Sequence, residues 1–218
     1  MSRMTSSKFT AMSEKLHPTA QALVDLAIIS LESGGESAVR VDAIVKQAGV
    51  SITSLYHHFG DRQGLIEAAQ AQRFLKVFAE NSASMAQVLE QVQSKDELVS
   101  VFRDAVLLLQ GPRNRALRAT RTSILGGALV SESLLNRISL IQNGQVKEFA
   151  TAISRLQDLS VLRNDLSPDA ISFWIIGTIY GRILSEIDDF GLALGSEYVQ
   201  LTTEAFIKTL LSSDEDMG

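Results

Sequence analysis

Apolar residues recur along this chain at the spacing of helices. In LVDLAIISLESGG, Leu23, Leu26, Ala27, Ser30 and Leu31 share a helical side before Gly34-Gly35 stops the run. Val41 to Ala48 gives about two further turns, with Ile44 and Ala48 facing inward. Gly49 follows, and without a Cβ it takes the positive φ of a tight reversal at little cost. Ser51 stands at an N-cap position ahead of ITSLYHH. In that second short helix Leu55 and Phe59 point inward, Ile52 and Tyr56 straddle the edge, and Thr53, Ser54 and His57 face out. Asp61 can cap a longer helix from Arg62 to about Ser82, with Leu65, Ala69, Phe74, Val77 and Phe78 near one side.

Beyond it the pattern predicts helices near 84–93, 96–110, 113–125, 131–158, 168–189 and 195–211. Pro112 and Pro168 fall near helix starts, and Ser167 is placed to cap the helix that Pro168 opens. No stretch alternates with period two, so the expected class is all-α, without a sheet. The organisation predicted is a flexible lead (1–15), a three-helix helix-turn-helix head (16–64), a connector helix (65–82), a larger helical domain (83–212), and an acidic tail (213–218).

The segment ISFWIIGTIYGRIL is apolar nearly all round, so it must be buried on two sides. One side can face its own domain and the other a second copy of the chain. Gly177 and Gly181, four apart, permit close helix approach. With Phe173 beside them, and Tyr198, Leu201 and Phe206 on the last helix, they form the expected dimer interface; burial within the chain alone is the competing reading.

Composition narrows the chemistry. The 218 residues include no cysteine, which excludes disulfides, thiolate catalysis and cysteine-based zinc sites. The first residues lack the apolar run of a signal peptide, and Ala170 to Gly181 is too short to span a bilayer, so a cytoplasmic protein is expected. Net charge is −5. It is unevenly spread: residues 1–80 carry eight Lys/Arg against eight Asp/Glu, leaving the acid excess beyond residue 80. The candidate reading head is therefore neutral, where nucleic-acid binders are usually basic.

In a helix-turn-helix the second helix reads base edges in the major groove from its N-terminal half, which calls for small or polar outward residues there. Ser51, Thr53 and Ser54 can meet phosphates or base edges, Tyr56 a phosphate, and His57 a guanine or a phosphate. Arg40 and Arg62 flank the motif as phosphate clamps.

The stretch AVRVDAIVKQAGVSITSLYHHFGDRQGLIEAA resembles the DNA-binding head of the TetR family of transcriptional regulators. Ile44, the Ala48-Gly49-Val50-Ser51 turn, Leu55-Tyr56, Phe59, Arg62 and Leu65 carry the resemblance, which covers roughly residues 18–66. It implies a homodimer on a roughly palindromic operator, released when a small-molecule effector binds the C-terminal domain. By motif position it gives the recognition contacts to Ser51, Thr53, Tyr56 and His57, and a phosphate contact to Arg62 in place of the family's common lysine. Arg40 stands where the family often has threonine, Val45 replaces the usual alanine, and no basic residue lies near Thr19–Leu23.

Other groupings read as structure first. Adjacent His57 and His58 point about 100° apart on a helix, with no third ligand near in sequence, so no metal site is expected. Arg113, Arg115, Arg118 and Arg121 read as a solvated face or as partners of acids such as Asp104; a ligand carboxylate or a contact with the head is the alternative. Phe102, Phe149, Trp174 and Tyr180 are candidates to line an effector pocket, against a plain core role. No nucleophile elbow, phosphate loop, dinucleotide fingerprint or zincin motif is present, so neither an enzyme nor a cofactor is expected. The alternative function is a helical small-molecule-binding protein with weak or no DNA binding.

Overall fold

The computed structural model describes residues 16–211, with the side chains of 78–84 and 86 excepted; the expected lead, the tail and the packing of Phe78 lie outside the described residues. The described residues form the expected all-α fold, with one isolated bridge, Leu162 with Leu211, and no strand among them. The helices are α1 (Pro18–Gly34), α2 (Val41–Ala48), α3 (Ile52–Phe59), α4 (Arg62–Gln91), α5 (Lys95–Gln110), α6 (Arg115–Ala128), α7 (Glu132–Asp158), α8 (Pro168–Gly181), α9 (Asp189–Ala193) and α10 (Gly195–Leu210).

Two differences from the sequence reading have local causes. The connector and the helix expected near 84–93 are one helix, α4, since no glycine or proline lies between Leu65 and Gln91 to stop it. The helix expected over 168–189 ends at Gly181, tightens into a 3₁₀ turn over Arg182–Glu186, and yields to α9, which Asp188 caps by accepting from the Gly191 N–H at 2.9 Å.

The chain divides into two compact units. The first holds the chain up to Lys76 together with Ile124–Ile141. It has one core around Leu23, Val24, Ile44, Val45, Leu55, Leu65 and Ile66, and another around Phe74, Ile124, Leu134, Ile138 and Ile141. Buried Glu67 accepts from the Ser131 hydroxyl at 2.8 Å, and that same oxygen caps α7 by accepting from the Leu134 N–H. The second unit holds Val77–Ser123 and the chain from Gln142 onward. Its core joins Leu98, Phe102 and Val106 of α5, Ile153 and Leu156 of α7, Ile171 and Ile175 of α8, and Phe206 and Leu210 of α10.

Candidate functional site

In the first unit α1, α2 and α3 close over Leu23, Ile44 and Leu55, each essentially removed from water. Burying three such side chains stabilises the head by roughly 2 kcal/mol apiece. Gly49 ends α2 at φ +68°, the left-handed conformation the reversal requires. Ser51 then caps α3, its hydroxyl accepting from the Ser54 N–H at 3.1 Å. Asp61 accepts from the Gly64 N–H at 2.7 Å and fixes the start of α4.

With α3 held at both ends, its outward face is set. Thr53, Tyr56 and His57 are exposed, Ser54 is half-buried, and Ser51 lies at the N-terminal edge. Arg40 is exposed at the N-cap position of α2, where its side chain makes no capping bond. Arg62 does something the sequence did not disclose. Its Nε donates to the Val39 carbonyl at 2.9 Å and its Nη2 to the Glu36 carbonyl, tying the turn before α2 to the start of α4. The histidines also gather unexpectedly. His17 caps α1 by accepting from the Thr19 N–H through Nδ1, and its ring stacks on His58 at 5.6 Å; His57 meets His58 edge-on at 5.5 Å. No local pattern announces that contact, because His17 lies on α1's cap and His58 on α3.

In the second unit the arginine run is corrected. Arg118 and Arg121 are each 1% exposed, not a solvated face. Arg118 grips both carboxylate oxygens of buried Glu186, with Nε to Oε2 at 2.9 Å, and not Asp104. It also donates to the Leu109 and Gly111 carbonyls, and Arg115 donates to the Glu186 carbonyl at 2.7 Å. Arg121 lies over the Tyr180 ring at 4.2 Å and donates to Gln142 at 3.2 Å. Burial lowers the Arg121 pKa, opposed by Tyr180, and burial raises that of Tyr180, opposed by Arg121. The phenol stays protonated, and the cation faces a ring and an amide. Gln145, one turn along α7 from Gln142, is buried with neither side-chain polar atom bonded.

A cavity of about 750 Å³ opens in the same unit between α5, the Arg182–Glu186 turn, α9 and α10. Such a volume suits a small organic molecule. None of the four expected ligand contacts lines it. Phe102 and Phe149 belong to the core, Trp174 meets Phe206 edge-on at 5.1 Å, and Tyr180 carries Arg121.

The expected interface residues separate into two groups. Phe173, Gly177 and Leu201 are exposed, and a Cβ placed on Gly177 would meet nothing within 4 Å. Gly181 faces the Tyr198 hydroxyl, and Tyr198 is half-buried under the Arg182 guanidinium at 4.8 Å. Phe206 is the correction: it packs between Phe102 and Trp174 and is 1% exposed, because the α10 face it occupies turns toward α5. Sequence reasoning missed Leu184, Ile187 and Phe190, three apolar side chains 76–79% exposed just after α8. Their run-on from an apolar helix hid the fact that the helix stops first.

A helical head whose second short helix presents a capped polar face defines the class, a helix-turn-helix protein with an appended helical domain. Residues 23–69 match the family model for bacterial regulatory proteins, tetR family. No curated protein matches the sequence. Among solved structures, a regulator assigned to the TetR family from Mesorhizobium loti superposes with a TM-score of 0.66 at 15% identity, over 88% of this chain and 96% of that one. A second, from Rhodococcus sp., has a TM-score of 0.59 at 21% identity, over 86% and 96%. A third, assigned as a transcriptional regulator from Saccharomonospora viridis and solved in complex with choline, has a TM-score of 0.59 at 14% identity, over 89% and 98%. Among the described residues no helix is long and apolar enough to cross a membrane.

Proposed function

We propose that the chain is a cytoplasmic repressor that binds a palindromic operator as a homodimer and is released by a small molecule. The observation that carries this reading is the α3 face, where Ser51, Thr53, Tyr56 and His57 stand in the positions a major-groove reader uses. Arg40 supplies a phosphate contact, with Ser54 behind the reading face. The exposed apolar set of Phe173, Leu184, Ile187, Phe190 and Leu201, with Gly177 among them, supports a second copy as the partner. The 750 Å³ cavity supports an effector, as does the fact that a neighbour of the same fold was solved with choline.

Release requires two arrangements of the dimer. In one the heads are spaced by the ~34–36 Å of one DNA turn, and in the other they are not. An effector that prefers the second arrangement by ~3 kcal/mol shifts occupancy over a hundredfold. The neutral head favours one competitor, a small-molecule-binding protein with little affinity for DNA. Binding to the DNA upstream of its own gene, measured by fluorescence anisotropy at two salt concentrations, separates them. Sequence-specific retention at the higher salt supports the repressor; loss of all preference there leaves the competitor.

A further inference from the structure

The cavity of the C-terminal unit has a polarity as well as a volume. Among the described residues of that unit, the buried charges are three guanidiniums, Arg118, Arg121 and Arg182, against one carboxylate, Glu186. Arg118 occupies both oxygens of that carboxylate. Arg182, 4% exposed and on the cavity wall, stands 3.7 Å from it, and its Nε has no hydrogen-bond partner. Tyr198 and the Gly195 carbonyl hold this guanidinium in place, and the missing side chain of Gly195 makes room for it: a Cβ there would come within 2.7 Å of Nη2.

The same end of the cavity receives the first turn of α10. Gly195 and Ser196 line it, and no side chain caps that helix, so its N-terminal N–H groups and positive dipole end add to the field of Arg182. Arg103, also on the wall, makes no ion pair among the described residues. The remaining wall acid, Glu204, is engaged by Gln200 at 2.9 Å and Lys208 at 3.3 Å. Leu107, Val199 and Ile207 give the wall an apolar part, and Arg115 and Thr203 also line it. One further polar atom waits unpartnered: Oε1 of Gln110, a residue 2% exposed whose amide nitrogen already donates to Thr178.

We propose that this cavity binds an amphipathic organic anion. Its carboxylate lies against Arg182 and the α10 N-terminus, its apolar body runs along Leu107, Val199 and Ile207, and a hydroxyl or N–H on that body donates to Gln110. An anion reduces the positive excess of these buried charges, whereas a cation at the same place would add to it. This deepens the effector reading, and only its consequence for DNA rests on that reading.

The test titrates the full-length chain with matched sets of aryl and alkyl carboxylates, their carboxamides and the corresponding amines, by calorimetry and thermal shift. Carboxylates are expected to bind at least about tenfold tighter than their neutral and cationic counterparts. Arg182→Gln is expected to remove that preference. Arg103→Gln, at an exposed position that leaves the fold undisturbed, is expected to weaken carboxylates several-fold and amides not at all. Tightest binding by amines or amides, or carboxylate binding indifferent to both variants, overturns the proposal. A set in which no carboxylate shifts the melting temperature overturns it too. Operator binding is followed separately. A carboxylate that binds without releasing DNA leaves the anion site standing and sinks the effector reading; release by a neutral ligand, with carboxylates inert, does the reverse.

Discussion

The Arg62 guanidinium holds two carbonyls of the turn before α2, so its contribution to the head is mechanical before it is electrostatic. Two charge-assisted bonds at an exposed residue are worth roughly 1–2 kcal/mol. Arg62→Ala is therefore expected to lower unfolding stability by about that much in urea. Arg62→Lys keeps the charge, loses the planar fork, and recovers only part of it. If Arg62 also touches phosphate, Arg62→Ala lowers affinity for all sequences alike and reduces the salt slope by about one; an unchanged slope assigns the residue to structure alone. Tyr56→Phe tests the reading face directly. It should weaken operator binding by roughly fivefold, the loss of one hydrogen bond, while leaving stability unchanged. What was legible at this scale was whatever a few neighbours decide: the Ser51 cap, the Gly49 reversal, the Asp61 cap. The burial of Arg118 was illegible because its partner, Glu186, is distant in sequence, and an arginine ladder on a helix looks the same whether water or a carboxylate lies beyond it.

Helix α6 is fastened to the turn after α8 through that pair, and the pair is asymmetric in its consequences. Arg118→Met leaves Glu186 buried without its main counter-charge, and breaking such a pair costs about 3–5 kcal/mol. The double variant with Glu186→Gln removes the orphaned charge as well. It should recover a substantial part of the loss, and denaturation of both singles and the double gives the coupling. At α8 the relevant fact is vacancy. Gly177 has no neighbour within 4 Å of where a Cβ would stand, so Gly177→Trp should leave the isolated subunit's fold intact. It should nonetheless convert a dimer to a monomer in sedimentation; a variant that stays dimeric places the interface elsewhere. The periodicity of ISFWIIGTIYGRIL announced two buried faces; Ile171, Ile175 and Ile179 turn inward, while Phe173 and Gly177 are exposed on the subunit. It could not announce that the helix would tighten at Arg182, because no proline or glycine stands at 182–186.

For the whole molecule the charge balance limits how DNA can be held. The chain is net −5, and the described part of the head offers Arg40, Lys46 and an already engaged Arg62. Two heads give at most about six phosphate contacts, so log affinity against log salt should fall with a slope no steeper than about −5. A steeper slope would bring in Arg3, Lys8 and Lys15 from the chain before α1. With so modest a non-specific grip, one head has little affinity to contribute alone, and specific binding depends on joining two. The Gly177→Trp variant therefore makes a prediction beyond its oligomeric state: with every residue of α3 untouched, it should lose operator affinity by about a hundredfold or more, as the second head's contribution changes from intramolecular to bimolecular. Raising protein concentration far above the wild-type midpoint should restore binding with a sigmoidal dependence. If the monomeric variant instead binds with wild-type affinity and a simple hyperbola, the apolar surface around α8 has no part in DNA recognition.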